Sequence, residues 1–439
     1  MGADFLSFTA FRVFERLACK RGFRYPSPNP SCALTSLTIA TISRESFMSE
    51  PVYIVNGART PMGGLMGELS SLSAVNLGEV AIRAALDKAK VNGADVDEVI
   101  MGCVLPSGLR QGPARQAAID AGIPDSVGAT TINKLCGSGM KSVMLAHDLI
   151  KAGTNEIMVA GGMESMSNAP YLLPKARGGL RMGHGELQDC MFTDGLEDAK
   201  TGRLMGAFAQ DVADQYQLTR EAMDDYAIGS LTKANAAIAS GALQAEMASV
   251  TVKTRRGEIT IDTDEQPGNA NLEKIPQLRP AFKPDGTVTA ANSSSISDGA
   301  SALVLASEQA VNDKGLKPIA KILGHTTHSR HPSEFTLAPI DAIKNLMHRL
   351  EWQADDVDLF EINEAFAMVT MLAIKEVGLD PDRVNIHGGA CAQGHPIGST
   401  GSRIIVSLVH ALKLKGLKRG IASLCIGGGE ATAVAVELV

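Results

Sequence analysis

The most constraining feature of this chain is one pattern that occurs twice: a helix, then a buried strand, then a glycine-rich turn ending in Glu. The first copy ends at residues 161–164 (Gly-Gly-Met-Glu) and the second at residues 427–430 (Gly-Gly-Gly-Glu). A single strand followed by two glycines arises by chance in many α/β proteins. The same order of elements in both copies instead indicates an internal duplication. We therefore predict two similar α/β halves packed together.

The hydrophobic pattern predicts alternating strands and helices from Pro51 onward. Ser73 is a candidate N-cap for a helix reaching about Lys90, and Gly378 is the expected C-terminal stop of a helix over residues 365–377. This alternation is typical of a mainly parallel sheet covered by helices on both faces. Further helices are predicted over residues 139–151 and 399–415, and strands over residues 52–55, 99–104, 130–133, 156–160, 359–361, 384–387 and 421–425.

A different pattern separates the two halves. Residues 178–206 are rich in Gly and Met without clear periodicity, Thr219 begins a long predicted helix to about Ser240, and residues 251–261 resemble a hairpin. We expect an inserted loop domain that covers a substrate. The expected division is residues 1–47 as an extension, 48–165 with 291–317 as the first half, 166–290 as the loop domain and 318–439 as the second half.

Residues 1–47 differ in character from the rest of the chain. They carry an excess of basic residues, whereas the remainder is acidic. One interpretation is a mitochondrial transit peptide. Asp4 and Glu15 fall inside the amphipathic helix that such a peptide would form, so we favour an upstream in-frame extension with the working protein starting at Met48.

Composition excludes several classes of protein. The 439 residues are 45% hydrophobic and 20% charged, which is typical of a globular chain. A net charge of −7 without a basic stripe disfavours nucleic-acid binding, and the longest apolar runs fall short of the roughly 20 residues of a membrane span. Seven cysteines without a Cys-x-x-Cys pair favour a reducing compartment over a disulfide framework. We expect a cytoplasmic location, or the mitochondrial matrix if residues 1–47 are a transit peptide.

Chemistry-bearing residues lie beside glycine-rich turns. Cys136 opens a predicted helix, where free backbone N–H groups and the helix dipole stabilise a thiolate. Cys425 ends an apolar strand, and His395 lies between a glycine and a proline. An isolated cysteine or histidine is more often a structural residue. The adjoining glycines favour the alternative of a nucleophile with two proton-transfer groups.

From about Met48 to Val439 the sequence resembles the thiolases, acetyl-CoA C-acyltransferases of the biosynthetic type. The resemblance implies a thiolase-like duplicated α-β-α-β-α layered fold with an inserted loop domain, assembled as a homotetramer from two dimers. The matching stretches, in the family's order and spacing, are residues 133–142, 160–170, 287–299, 363–366, 388–401 and 425–429.

The resemblance also implies roles for individual residues. Cys136 is the nucleophile that carries the acyl group, and His395 is its base and a donor to the thioester oxygen. Cys425 is the acid/base that removes or returns the α-proton of acetyl-CoA. His395 and a water held by Asn363 form one oxyanion site, and the backbone N–H groups of Cys136 and Gly427 form a second.

Coenzyme A contacts carry over with some departures from the family pattern. Leu204 stands where the family has a histidine, and Phe335 stands near the acyl pocket where Met-Gly is usual. These departures leave the chemistry intact but leave the chain-length preference open. The predicted contacts are Leu204, Met205, Phe282, Ala290, Ser294, Ala365 and Phe366.

The sequence thus predicts an acetyl-CoA C-acetyltransferase that condenses two acetyl-CoA to acetoacetyl-CoA and CoA, and runs thiolysis in reverse. A 3-ketoacyl-CoA thiolase of broader chain length stays open as the alternative. Cys425 argues against a ketoacyl-ACP synthase, and the presence of both Cys136 and His395 argues against a non-catalytic acyl-CoA-binding protein. No resident cofactor is expected, because coenzyme A is itself a substrate and product. No metal is expected, because Cys391 and His395 lack a second pair of ligands.

Overall fold

The computed structural model of the chain describes residues 51–439, so the predictions for residues 1–47 lie outside the described part. One ten-stranded mixed sheet and two small two-stranded ribbons form the β-structure. The strands are β1 Val52–Arg59, β2 Gly63–Gly64, β3 Glu98–Gly102, β4 Gly128–Ile132, β5 Ile157–Ser165, β6 Tyr171–Leu172, β7 Gln188–Asp189, β8 Val250–Thr254, β9 Gly257–Ile261, β10 Ser297–Ser307, β11 Ala320–Ser329, β12 Leu359–Ile362, β13 Arg419–Ile426 and β14 Glu430–Leu438.

The helices surround and connect these strands. They are α1 Ala74–Ala89, α2 Pro113–Asp120, α3 Ser138–Lys151, α4 Met205–Gln215, α5 Arg220–Ala239, α6 Glu265–Asn269, α7 Glu308–Lys314, α8 Ala338–Arg349, α9 Ala367–Val377, α10 Ala390–Gln393 and α11 Thr400–Lys415. The cap predictions are confirmed: Ser73 forms a capping box with Asn76 at the start of α1, Thr219 caps α5, and Gly378 ends α9 with φ +78°. None of the helices in the described part is long and apolar enough to cross a membrane.

The order of strands in the large sheet has internal symmetry. The strands run β12-β13-β14-β11 on one side and β1-β10-β5-β3-β4 on the other, joined where β1 pairs with β11. The short strand β2 pairs with β10 beside this path. Helix α8 packs on the first group, α1 packs on the second, and α3 and α11 pack against each other and against strands of both groups. This is the predicted duplicated α-β-α-β-α layering, and the fold prediction is confirmed.

Two aspartates mark equivalent positions in the two halves. Asp97 precedes β3, and its carboxylate accepts hydrogen bonds from the N–H groups of Glu156 and Ile157, at 2.7 and 2.9 Å. Asp358 precedes β12, and its carboxylate accepts from Lys418 and Arg419 at 2.9 and 2.7 Å. In each half, one side chain thus satisfies two backbone donors at the start of the neighbouring central strand, β5 or β13.

The prediction of a mainly parallel sheet is wrong. Strand β3 runs parallel to β4 and β5, and β12 runs parallel to β13, but the other pairings in the large sheet are antiparallel. The reason is that β10 and β14 are almost fully buried, so they lack the alternation that identifies an antiparallel strand.

The predicted strand over residues 384–387 is also wrong. Val384 makes a single isolated bridge to Phe360, and the next residue, Asn385, has φ +47°. The Asn385 side chain instead exchanges hydrogen bonds with both backbone groups of Ile362 at 2.8 Å. Asn385 has a left-handed backbone, and its side-chain amide takes the place of the backbone hydrogen bonds of a strand pair. The pairing with β12 therefore ends after one residue.

The two inner helices cross at their first turns, where each has a glycine. A side-chain carbon added to Gly139 of α3 would come within 2.8 Å of the Ser402 nitrogen. One added to Gly401 of α11 would come within 2.4 Å of the Met140 nitrogen. Only glycine permits this approach, and it brings the segments before α3 and α11 together.

Candidate active site

Cys136 lies in a tight turn between β4 and α3. Leu135 in this turn has φ +47°, a left-handed conformation that is rare outside glycine. The Asn133 side chain accepts a hydrogen bond from the Leu135 N–H at 2.9 Å. The Ser138 hydroxyl accepts from the Lys134 N–H at 2.8 Å and donates to the Leu135 carbonyl at 2.7 Å. Local polar side chains therefore hold the strained turn that presents the thiol.

The thiol of Cys136 is held in its neutral form. Its remaining accessible surface lies inside a cavity, and burial raises its pKa to about 11. The backbone N–H groups of Gly427 and of Cys136 itself approach the sulfur and oppose this shift. The expected N–H donors are thus present, and desolvation of the sulfur outweighs their effect on the pKa. Deprotonation of this thiol needs a base.

His395 has the form of such a base. Its Nδ1 lies 2.7 Å from the hydroxyl of Thr400, which donates its own proton to the Pro396 carbonyl at 3.0 Å. The hydroxyl therefore accepts from Nδ1–H, so Nε2 carries the free lone pair. Burial and then the Arg403 charge lower the His395 pKa to about 3, which keeps the ring neutral. Nε2 is buried without a hydrogen-bond partner among the described residues.

Cys425 and Asn363 lie at the ends of two parallel neighbours, β13 and β12. Burial, followed by the proximity of Cys136, raises the pKa of Cys425 well above its ordinary value. The Asn363 backbone N–H donates to the Ser423 carbonyl at 3.0 Å, so it is fixed to the adjoining strand. Both polar atoms of its side-chain amide are buried without partners in the described part of the chain. Buried polar atoms are normally paired, so the amide of Asn363 is suited to bind a ligand or a water.

A cavity of about 260 Å³ joins most of the predicted residues. Its wall contains Cys136, His395 and Gly427 together with Leu204, Met205, Phe282, Ser294, Ala365 and Phe366. Cys425 and Asn363 are buried and do not line this cavity. Ala290 instead lines a separate cavity with Leu231 and Cys391, so the structure does not place it with the others.

Two protein-family descriptions match nearly all of the described chain. "Thiolase, N-terminal domain" matches residues 52–309, and "Thiolase, C-terminal domain" matches residues 316–438.

The chain belongs to the thiolase family.

Curated and solved thiolases are similar to this one over most of their length. Acetyl-CoA acetyltransferase 1 of Arabidopsis thaliana is 49% identical over 401 residues, covering 91% of this chain and 97% of the relative. A cytosolic acetyl-CoA acetyltransferase of Gibberella zeae is 47% identical over 389 residues, covering 88% and 98%. The Acat5 thiolase of Ascaris suum, solved with coenzyme A, is 42% identical, with a TM-score of 0.84 over 89% of this chain and 100% of that one.

Several residues of this thiolase's cavity were missed by the sequence reasoning. They are mostly apolar, and a one-turn π-helix over Phe192–Leu196 supplies three of them. That segment lies in the stretch without periodicity, so the pattern gave no signal for it. The missed lining residues are Phe192, Gly195, Leu196, Gly206, Ser293, Ile296 and Ile397.

Glu164 entered the sequence analysis only as part of a repeated motif, yet it supports the histidine turn of this thiolase. Its carboxylate accepts hydrogen bonds from the N–H groups of Val104 at 3.0 Å, Leu105 at 3.1 Å and Gly398 at 2.9 Å. Complete burial raises its pKa to about 7 despite these donors. Because Gly398 lies three residues after His395, this buried carboxylate from β5 fixes a turn that belongs to the other half.

Glu364 plays a comparable part beside Asn363. Its carboxylate accepts from the Tyr226 hydroxyl at 3.0 Å, the Ser230 hydroxyl at 2.7 Å and the Asn385 amide at 2.8 Å. These contacts fix the backbone between β12 and α9 to helix α5. The segment that holds Asn363 is therefore rigid, as an orienting amide requires.

Proposed function

We propose that this thiolase is an acetyl-CoA C-acetyltransferase that forms acetoacetyl-CoA through an acyl-cysteine. The observation that carries the proposal is the buried, unpaired Nε2 of His395 in the cavity that also contains the Cys136 thiol. A neutral imidazole and a neutral thiol, both desolvated, are the components of base-assisted thiol attack. The names of the similar proteins, and the coenzyme A complex of the Ascaris suum thiolase, support the substrate assignment.

In the first half-reaction, Cys136 attacks the thioester carbonyl of acetyl-CoA. His395 Nε2 takes the thiol proton, the new bond joins Cys136 sulfur to the acetyl carbon, and the bond from that carbon to coenzyme A sulfur breaks. Cys425 gives its proton to the departing coenzyme A and becomes a thiolate, while His395 is a protonated imidazole. The acetyl group stays activated because the product is again a thioester.

In the second half-reaction, the Cys425 thiolate removes an α-proton from a second acetyl-CoA. The carbanion attacks the acetyl carbon on Cys136, a carbon–carbon bond forms, and the bond to Cys136 sulfur breaks. That sulfur regains the proton held by His395, so all three groups return to their starting state. This chemistry uses no resident cofactor, since coenzyme A enters and leaves as substrate and product.

Two sets of donors receive the negative oxygens that these steps create. The backbone N–H groups of Cys136 and Gly427 already converge on the Cys136 sulfur, and they suit the oxygen of the acyl-enzyme. The enolate oxygen of the second acetyl-CoA suits His395 and a water on the Asn363 amide. The unpaired atoms of both side chains support this second site.

The aromatic wall supports a short acyl group over a long one. Phe335 is 3% exposed and packs edge-to-face on Phe366, with ring centroids 6.3 Å apart. Phe282 also packs edge-to-face on Phe366, at the same centroid distance. A longer acyl chain has to displace one of these rings. Replacement of Phe335 by Ala opens this wall, and we expect it to raise the rate on 3-ketooctanoyl-CoA relative to acetoacetyl-CoA.

The test measures thiolysis of acetoacetyl-CoA and of 3-ketooctanoyl-CoA by the full-length chain, as the loss of the 3-keto thioester. Activity on acetoacetyl-CoA alone is the expected result. Comparable rates on both substrates would replace the proposal by a 3-ketoacyl-CoA thiolase of broad chain length. Activity on neither, with a folded protein, would contradict both, and Cys136→Ala serves as the blank.

We further propose that residues 166–290 form the cover over coenzyme A. Leu204, Met205 and Phe282 from this segment lie in the wall of the cavity that also contains Cys136 and His395, which supports that role. Limited proteolysis with and without coenzyme A tests it, because a bound ligand should slow cleavage within residues 166–290 and leave cleavage elsewhere unchanged.

We also propose a cytosolic homotetramer. The tetramer follows from the family resemblance, and the location is supported by the cytosolic name of the Gibberella zeae relative. Light scattering of the purified chain measures the first. Imaging of fluorescent fusions with and without residues 1–47 measures the second, and mitochondrial signal that depends on those residues would identify them as a transit peptide.

A further inference from the structure

Three side chains with metal-binding atoms meet far from the active site, at the other end of the nucleophile's helix. His147 and Asp148 lie near the C-terminus of α3, and His325 lies in β11. Asp148 Oδ1 is 3.0 Å from His147 Nδ1 and 2.8 Å from His325 Nε2. The two imidazole rings meet edge-on, with centroids 5.1 Å apart and an interplanar angle of 88°. Two imidazole nitrogens thus lie within hydrogen-bond distance of one carboxylate oxygen.

The spacing of these atoms is close to that of a coordination sphere. All three donor atoms lie within 4.8 Å of one another. Imidazole nitrogens and carboxylate oxygens bind Zn²⁺ at about 2.0–2.2 Å, which places neighbouring ligand atoms of a tetrahedron about 3.3 Å apart. The His–Asp pairs therefore need to open by only about 0.3–0.5 Å to admit an ion.

We propose that His147, Asp148 and His325 bind one divalent transition-metal ion, with Zn²⁺ as the preferred ion, and that this ion joins the two halves of the molecule. Two imidazoles with one carboxylate suit Zn²⁺, Co²⁺ or Ni²⁺, whereas Mg²⁺ and Ca²⁺ prefer oxygen ligands. The ligands come from α3 of the first half and β11 of the second. A bound ion is therefore a bridge between the halves, independent of the thiolase chemistry.

The cluster is open enough to admit an ion from solvent. The side-chain exposure is 52% for Asp148, 18% for His325 and 9% for His147. The exposed side provides the remaining coordination position for water. Lys151, one turn further along α3, adds positive charge near His147, which opposes cation binding and limits its affinity.

The sequence gives no spacing signal for this site. Asp148 and His325 are 177 positions apart and lie in different halves. His147 and Asp148 are adjacent, which differs from the i, i+3 or i, i+4 spacing of ligands on one helix face. The site exists only because the duplicated fold places the end of α3 beside β11.

The test uses the full-length chain after iodoacetamide treatment, so that accessible thiols no longer bind metal. Co²⁺ is titrated and followed by its visible absorption, and Zn²⁺ binding is measured by calorimetry. The expected result is one equivalent of either metal per chain, without the ultraviolet band of a cobalt–thiolate bond. Asp148→Asn and His325→Gln should each weaken binding by more than about 100-fold, because a direct ligand matters more than the outer contacts that cost 10–100-fold.

His328→Gln is the matched control. His328 lies on the same strand and pairs with Asp341 at 3.3 Å, but it has no second imidazole beside that pair in the described structure. This variant should bind metal like the unaltered chain, and Zn²⁺ should raise the melting temperature of both but not of Asp148→Asn. Absence of stoichiometric binding in the unaltered chain would overturn the proposal. Metal binding by Asp148→Asn or His325→Gln that is as tight as that of the unaltered chain would overturn it as well.

Discussion

The two halves of this thiolase share a layout but connect their central strands differently. In the first half, β5 and β10 pair as antiparallel neighbours, yet residues 166–296 separate them in the chain. In the second half, the equivalent pair, β13 and β14, is joined by Gly427–Gly429 alone. The insertion contributes walls of the substrate cavity, and the short turn contributes the Gly427 N–H beside the nucleophile. Duplication thus supplied one scaffold, and the same connection diverged into two functions.

The largest contrast between the halves is expected from their two cysteines. Cys136→Ala removes the nucleophile of the first half and should lower turnover by more than about 10⁴-fold. Cys425→Ala removes a proton-transfer group of the second half and should cost about 10²–10⁴-fold. The Cys425 variant should still form an acyl-enzyme by mass spectrometry, because coenzyme A can leave as a thiolate without the proton of Cys425. It should lose α-proton exchange of acetyl-CoA in deuterated water.

The control for this pair is Cys190→Ala, because Cys190 is buried outside the cavity wall. It should keep near-normal turnover. If Cys425→Ala also kept full turnover, the division of labour between the two cysteines would be wrong.

The crossing of the two inner helices offers a symmetrical comparison. Gly139→Ala and Gly401→Ala each place a methyl group against backbone of the other helix, at 2.8 and 2.4 Å. Each should lower the free energy of unfolding by about 2–4 kcal/mol, and a shift of about 1 Å between Cys136 and His395 should lower kcat by about 10²-fold. Chemical denaturation and steady-state rates measure both effects. Gly229→Ala, on α5 with open space around it, should change neither.

Glu164 of the first half binds the turn that carries His395 of the second half. We expect their contributions to the free energy of unfolding to depend on pH in opposite directions. The pKa of Glu164 is raised from 4.5 to about 7, so its contribution to stability is full below pH 4.5 and is lost as pH rises through about 7. The pKa of His395 is lowered from 6.5 to about 3, so its contribution is present above pH 6.5 and is lost as pH falls through about 3. Each contribution changes by about 1.4 kcal/mol per pH unit within its range.

Urea unfolding across pH 3–8 separates these contributions. Glu164→Gln should remove the contribution to stability that is lost as pH rises through about 7. His395→Gln should remove the contribution that is lost as pH falls through about 3. Identical pH profiles for the unaltered chain and Glu164→Gln would show that the buried carboxylate does not take up a proton on folding.

The smallest effect is expected at the two equivalent aspartates. Asp97→Ala and Asp358→Ala each leave two backbone N–H groups without their acceptor, and each should cost about 1–2 kcal/mol. Asp97 is the more exposed, so water replaces its carboxylate more readily and its cost should be the lower. The double variant should equal the sum within about 0.5 kcal/mol because the sites lie in different halves. A strongly non-additive result would mean that the two aspartate sites are energetically coupled although they lie in different halves.

The sequence predicted the duplication, but partly from residues that are not equivalent. The hydrogen bonds of Asp97 and Asp358 make Ile157 the counterpart of Arg419, so Glu164, seven residues on, corresponds to Ile426. Glu430 lies beyond the turn, where it accepts a hydrogen bond from Lys134. The repeat is therefore real, but the two Gly-Gly-x-Glu motifs do not occupy equivalent positions in it. Only the backbone pairing reveals this offset.

Sequence signals predicted the structure best where a single residue determines a local backbone feature, such as the end of a helix. Ser73, Thr219 and Gly378 identified helix ends because capping depends on a side chain or a left-handed φ within a few residues. Strands β10 and β14 were not predicted, because full burial on both faces removes the alternation of polar and apolar residues.

The family motifs indicated which polar residues meet, and long-range contacts decided the rest. Cys136 and His395 share one cavity, as expected. The sign of the Cys136 pKa shift depended on how much apolar wall surrounds the thiol, and Phe192, Leu196 and Ile397 in that wall carry no motif. The burial of this thiol is a property of the folded chain and cannot be predicted from the residues adjacent to it in sequence.

The unequal connections also set the order in which the molecule can be built during synthesis. A β-hairpin such as β13–β14 forms within about 1–10 μs once its residues are available. Strand β5 must wait for β10 until residues 166–296 have been added, which at about 5–20 residues per second takes on the order of ten seconds. Throughout that interval one edge of a fully buried, apolar strand has no partner, and such edges promote aggregation. The half that carries the nucleophile is therefore the half most in need of chaperones on the ribosome.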